Sequence, residues 1–163
     1  MTEAPWGGQD SRPAENPPPR GGTPGVPAPD GDVYTWYQRG LELLGRGSPA
    51  AAAQLLEWAA EAEPGSRSVL EALGRAQFDT RRYADAAATF RQIVEASPSD
   101  DYAHFGLGLA LARGGDPRAA AEHLALAAAM RPDLTHYTEA LRGVRATLKA
   151  RAQATGEPPA GPA

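Results

Sequence analysis

"GDPRAAAEHLALAAAMRP", residues 115–132, sets two prolines around a run of alanine and leucine that has no good reading other than helix. Asp116 followed by Pro117 makes a helix start, because a capping carboxylate precedes a residue whose missing N–H costs nothing in the first turn. Pro132 makes the stop. The same arrangement stands twice upstream. Pro64, Pro98 and Pro132 keep a step of 34 residues, as do Gly40, Gly74 and Gly108, then Ala52, Ala86 and Ala120, then Leu56, Phe90 and Leu124. Four series sharing one period mark a repeat array.

Each repeat reads as a helical hairpin. The second helix opens at Ser48–Pro49 in the first repeat and at Asp116–Pro117 in the third, while Tyr83 takes the proline's place in the second. Beyond each stop come Ser66, Asp100 and Asp133, candidate caps for the next first helix. Counted from Val33, Arg67 and Asp101, the first repeat holds Trp36, Gly40, Leu43, Ala52, Leu56, Ala59 and Pro64. The second holds Leu70, Leu73, Gly74, Tyr83, Ala86, Phe90 and Pro98, and the third Leu107, Gly108, Leu111, Ala120, Leu124, Ala127 and Pro132.

These positions resemble the tetratricopeptide repeat family, whose pattern is W-x2-L-G-x2-Y, then A-x3-F, then P. Gln77, Ile93 and His104, the last in the usual tryptophan place, depart from it. The resemblance covers about three quarters of the chain. It implies an all-α fold, a right-handed superhelical solenoid of three hairpins plus a C-terminal capping helix. The repeats are then 33–66, 67–100 and 101–134, with the cap at 135–155, inside a domain at 32–155.

The flanks read differently. Residues 1–31 contain eight prolines and six glycines with almost no aliphatic side chains, too little apolar surface to offset ordering entropy, so a disordered tail is expected. Residues 156–163, "GEPPAGPA", read the same way. Trp6 stands alone in the first tail. Either the tail is a plain tether, or it folds back as an extended ligand for the protein's own aromatic groove.

Both ends of the array show in one stripe of the first helices, repeat positions 3, 7, 10 and 14. The stripe is Val69, Leu73, Ala76 and Thr80 in the second repeat, and Ala103, Leu107, Ala110 and Gly114 in the third. In the first repeat it is Thr35, Arg39, Glu42 and Arg46, polar throughout, as an outer face requires. Past the third repeat, Tyr137, Leu141, Val144 and Leu148 form an apolar stripe, and Thr138, Arg142 and Arg145 stand where a further helix would pack. A helix apolar on one side only is a cap.

The chain has 163 residues, a net charge of −4 and no cysteine, which leaves no disulfide, thiolate ligand or cysteine nucleophile. No metal or cofactor is expected, and neither is enzymatic activity. His104, His123 and His136 lack metal-ligand spacing, and read as one histidine at the core edge and two on exposed or partly exposed faces. No G-x-S-x-G surrounds any serine. Without a membrane-length apolar run or a signal peptide, a cytoplasmic protein is the default. The single lysine, Lys149, among 16 basic residues suggests a GC-rich bacterial genome. Arg142, Arg145, Lys149 and Arg151, with the pair Arg81–Arg82, are the only basic clusters. In an acidic chain they read as cap and surface charges rather than as a nucleic-acid footprint.

What remains is the face the hairpins create. The resemblance implies a concave groove for a peptide or partner helix, lined by repeat positions 2, 5, 9 and 12 of the first helices. Carried over, these are Tyr34, Tyr37, Leu41 and Leu44, then Ser68, Glu71, Arg75 and Phe78, then Tyr102, Phe105, Leu109 and Ala112, with His136 and Glu139 at the rim. Arg75 and Arg113 suit a carboxylate or carbonyl of the guest. Five aromatics on one nominally exposed face exceed what solubility needs, and Tyr37 and Phe105 are the expected contacts. Phe78, Leu44 and Ala112 stand equally well as core. The lysines and asparagines with which the family clamps C-terminal carboxylates are missing. The expectation is a binding scaffold for a protein or peptide, with two alternatives: self-association through the groove or the outer faces of Trp58 and Leu126, or recruitment to RNA or an acidic surface through the basic last helix.

Overall fold

In the computed structural model, residues 5–6 and 28–156 are described. They form seven α-helices and no strand: α1 Val33–Gly45, α2 Pro49–Ala62, α3 Arg67–Asp79, α4 Tyr83–Ala96, α5 Asp101–Arg113, α6 Pro117–Met130 and α7 Thr135–Thr155. Two compact units divide the chain, Met1–Thr89 and Phe90–Ala163, and the division falls inside α4. The tail residues other than Pro5, Trp6 and 28–31, and those beyond 156, lie outside the described residues.

Three-residue turns join the helices of each hairpin, and all three follow one rule. The residue past the C-cap takes a left-handed conformation, and two amides return to the last carbonyls of the helix. In the first turn Gly47 has φ +71°, its N–H reaches the Leu44 carbonyl at 3.0 Å, and Ser48 reaches that of Leu43 at 2.8 Å. In the third, Gly115 has φ +99° and Asp116 donates to the Leu111 carbonyl at 2.9 Å. The middle turn puts Arg81 at φ +64° in the glycine's place, with Arg82 bonded to the Gln77 carbonyl at 2.8 Å. A side chain there is strained, and surrounding bonds hold it. Arg82 donates to Glu57 at 2.7 Å and to Asp85 at 2.8 Å, so this half of the basic pair is spent on structure.

Three aspartates cap as their chemistry requires. Asp32 accepts from the Thr35 amide and hydroxyl, Asp100 from the Ala103 amide at 2.9 Å, and Asp116 from the Ala119 amide at 3.0 Å. Both Thr35 bonds favour the ionised form and hold the Asp32 carboxyl below its ordinary pKa. Ser48 and Ser66 occupy N-cap positions without a side-chain cap hydrogen bond. Asp133 does not cap α7. Leu134 stands at the N-cap, and a two-pronged pair with Arg131 at 2.8 and 3.0 Å diverts the carboxylate. That pair lowers the Asp133 pKa and raises that of Arg131.

In the N-terminal unit α2 packs on both α1 and α3. Its core joins Val33, Trp36, Ala52, Leu56 and Ala59 to Val69, Leu73 and Ala76 of α3. Gly40 lets α1 and α2 close together, since a Cβ there would lie 2.7 Å from Leu56 Cγ. Thr35, Arg39 and Glu42 of α1 and its C-cap Arg46 all lie exposed. Gln77, buried, accepts from the Thr89 hydroxyl at 2.7 Å, so this departure from the repeat pattern is a satisfied polar pair.

In the C-terminal unit α6 packs on α5 and on α7, and α7 also touches α5. Ala103, Leu107, Ala110, Leu124 and Ala127 are buried, as are Tyr137, Leu141 and Val144 of α7, while Thr138, Arg142 and Arg145 are exposed.

Candidate partner-binding site

The first-helix residues singled out from the sequence take distinct places. In the N-terminal unit Tyr34 is 44% exposed, Leu41 is half-buried, and Tyr37 is buried in the core. On α3, Glu71, Arg75 and Phe78 recur at i, i+4 and i+7 and so share one face. Glu71 is buried and paired with Arg67 at 3.2 Å. Arg75 is partly buried, and its Nε is shut away from solvent with no hydrogen-bond partner among the described residues. Phe78 is buried, and part of what covers it is Trp6.

The indole of Trp6 stands edge-on to the Phe78 ring at 5.2 Å, and Phe78 in turn meets Tyr83 edge-on at 5.3 Å. Trp6 Nε1 donates to Asp79 Oδ1 at 3.4 Å, and the residue is only 7% exposed. Partial burial raises the Asp79 pKa, against the opposing pull of this bond and of Arg75. Asp79 went unread in the sequence, since nothing in the repeat distinguishes it from any acidic residue at a helix end.

In the C-terminal unit the expectation of exposed aromatics is corrected. Tyr102 and Phe105 are buried, Phe105 to 1% exposure. For Phe105 the physical reason is α7. Tyr137 stacks on Phe105 at 4.4 Å with the planes 21° apart, and His136 meets it edge-on at 5.2 Å. Phe105 therefore has no surface to offer a guest, whereas half-buried Leu109 and exposed Arg113 keep theirs. Trp58 packs against Trp36 at 6.5 Å and is half-buried. Leu126 at 46% and Met130 at 37% are the exposed large apolar residues of α6.

The histidines hold a feature that motif spacing missed. His104 Nε2 lies 2.9 Å from the Pro98 carbonyl, which can only accept, so this nitrogen carries a proton. His104 Nδ1 is 3.0 Å from His123 Nδ1, and with a neutral His104 the bond runs from His123 to His104. Burial lowers the His123 pKa, as do His104 and Arg91, while Glu122 opposes them. The folded state therefore refuses a proton that the unfolded chain accepts below an ordinary histidine pKa of 6.5. The stabilisation is complete above that pH and is lost as pH falls through it toward the depressed folded value. The urea midpoint should drop on moving from neutral to mildly acidic buffer, and His123→Gln should flatten that dependence. An equal slope in both proteins would place the titrating group elsewhere. Among the described residues no three His, Asp or Glu side chains converge as a metal site, and no helix is long and apolar enough to cross a membrane.

Family comparison agrees with the repeat geometry. A model described as tetratricopeptide repeat matches residues 37–101 and again 72–135, together more than half the chain. The chain belongs to the tetratricopeptide repeat (TPR) family. No curated protein matches it. Among solved structures it is similar to the first TPR of Spaghetti (RPAP3) bound to an HSP90 peptide, with a TM-score of 0.68 and 17% identity over 72% of this chain and 93% of that one. It is similar also to the Sgt2 TPR domain from Aspergillus fumigatus, with a TM-score of 0.69 and 20% identity over 83% and 91%. MamA from Desulfovibrio magneticus RS-1 has a TM-score of 0.69 and 21% identity over 77% and 71%. At these identities the likeness is one of fold.

Proposed function

We propose that this TPR chain is a non-enzymatic scaffold that binds an extended peptide or helix of a partner protein on the first-helix face, and that it works in the cytoplasm of a bacterium. The observation that carries this reading is the Arg75 Nε, a buried donor with no partner among the described residues, on the α3 face between Glu71 and Phe78. An unpaired buried donor costs about 1–3 kcal/mol, and a peptide carbonyl or carboxylate is the group that satisfies it. Tyr34 and Leu41 on α1 supply contact area in the same unit; within the C-terminal unit half-buried Leu109 holds the repeat position of Leu41, and exposed Arg113 follows four residues on. Tyr37 is buried in the core of the N-terminal unit, and Tyr102 and Phe105 are buried in the C-terminal unit. The HSP90 peptide held by a TPR of similar fold supports a peptide guest in general and names none for this chain.

The test is a peptide-display selection on the full chain, followed by affinity measurement on wild type and Arg75→Ala. Selected peptides should bind the variant about tenfold more weakly, the loss of one charge-assisted contact, with the melting temperature little changed. Equal affinity for both proteins would remove the α3 face as the site. The second reading is self-association through α6, where Leu126 and Met130 stand exposed four residues apart. Sedimentation of wild type beside Leu126→Glu decides it, since a species that dissociates only in the variant would favour this reading.

A further inference from the structure

Trp6 occupies the α3 face, although 73 positions separate it from Asp79. The contact has the parts of a ligand site. Phe78 and Tyr83 form two steps of an aromatic shelf, the Trp6 indole adds the third, and Asp79 accepts from the indole nitrogen at the shelf's edge. An indole gives up its water only where its area is covered and its N–H finds an acceptor, and both conditions hold here. Phe78 lies one helical turn from Arg75, so whatever sits on the shelf adjoins the proposed peptide face.

We propose that the segment carrying Trp6 is an intramolecular ligand of this shelf, a Pro-Trp plug that a partner peptide must displace. The displacement rests on the peptide-binding reading given above, while the docking does not. A tethered ligand sees its site at high effective concentration, so a contact too weak to persist between separate molecules keeps the shelf occupied. A competing peptide then binds with an affinity reduced by the fraction of open molecules. The shelf selects the plug by chemistry, since an indole offers both an edge for Phe78 and a donor for Asp79. A phenylalanine would supply only the first.

The test uses the full chain. In its 15N spectrum, Trp6→Ala identifies the Trp6 indole signal beside those of Trp36 and Trp58. That signal should be protected from solvent exchange, should move in Asp79→Asn, and should stay unchanged on dilution. A solvent-exchanging signal indifferent to Asp79→Asn would overturn the docking. Protection that vanishes on dilution would also overturn it, because the plug would then come from a second copy. A synthetic peptide of residues 1–12, MTEAPWGGQDSR, should bind the Trp6→Ala chain about tenfold more tightly than wild type, and the same peptide with alanine for tryptophan should bind neither. Equal affinity for the two proteins would overturn the proposal. If Trp6 docks but display-selected peptides ignore Arg75→Ala, the partner-site reading fails and the intramolecular ligand stands. If those peptides depend on Arg75 yet bind wild type and Trp6→Ala alike, the displacement fails.

Discussion

Tyr137→Ala should destabilise the chain by about 3–5 kcal/mol, the range for emptying a large buried aromatic site. Tyr137 is among the largest fully buried side chains, stacked on Phe105 and edge-on to His136 at 4.6 Å. Its hydroxyl donates to Asp101 Oδ2 at 2.8 Å, tying the start of α7 to the start of α5. Truncation would leave a cavity against Phe105 and return that ring to water, so much of the surface α7 covers on α5 would be lost at once. Tyr137→Phe separates the two contributions. It keeps the stack and removes one hydrogen bond to a charged acceptor, for about 1–3 kcal/mol, at the low end because Asp101 is only half-buried and water can replace the donor.

A second handle comes from alkali. Burial, then the bond and charge of Asp101, hold the phenol well above its ordinary pKa of 10.0. The unfolded chain therefore releases a proton that the folded chain keeps, and stability present below pH 10 is lost as pH rises past it. Tyr137→Phe should remove that alkaline slope. Guanidinium titrations followed by circular dichroism measure all three quantities, and a Tyr137→Ala loss below that of Tyr137→Phe would refute the packing account.

The 34-residue period made the hairpins legible because it is the trace of a packing contact. Gly40 and Leu56 touch, Gly108 and Leu124 touch, and the separation in sequence is the same in both pairs. In the first and third repeats two of the four periodic series are thus the two sides of one interface. Prolines and capping aspartates act within a few residues, so most helix ends were legible too. Asp133 was misread because a competing partner, Arg131, lies two residues before it, and no capping pattern weighs that competition.

The site was harder to read. Periodicity gives a residue's place in its hairpin, and it is silent on what comes to cover that place. Phe105 and Tyr102 hold groove positions by register, yet the side chains at the start of α7 close over Phe105. Trp6 belongs to no period at all. A lone tryptophan among prolines and glycines gives two readings, tether or ligand, and only its position against Phe78 and Asp79 speaks to them.

Gly108→Ala should reverse its sign with the identity of residue 124. In wild type an added Cβ would stand 2.6 Å from Leu124 Cγ and 2.9 Å from its Cδ2, with the Ala120 carbonyl oxygen at 3.2 Å. Cγ is the branch point of the side chain rather than its free end, so α5 and α6 must part to make room, at a cost of about 1–3 kcal/mol. That outweighs the gain of about 1 kcal/mol from alanine over glycine inside a helix. Leu124→Ala alone should cost about 2–5 kcal/mol, as Leu124 is fully buried. In that background both leucine contacts are gone, and the Ala120 oxygen needs to yield only a few tenths of an ångström. The helix preference then prevails, and Gly108→Ala becomes neutral or stabilising by up to about 1 kcal/mol. The double-mutant cycle should show a coupling of about 1–3 kcal/mol. If Gly108→Ala destabilised both backgrounds equally, the glycine would be required by the Ala120 backbone. The paired glycine and leucine series would then be two separate constraints that happen to share a period.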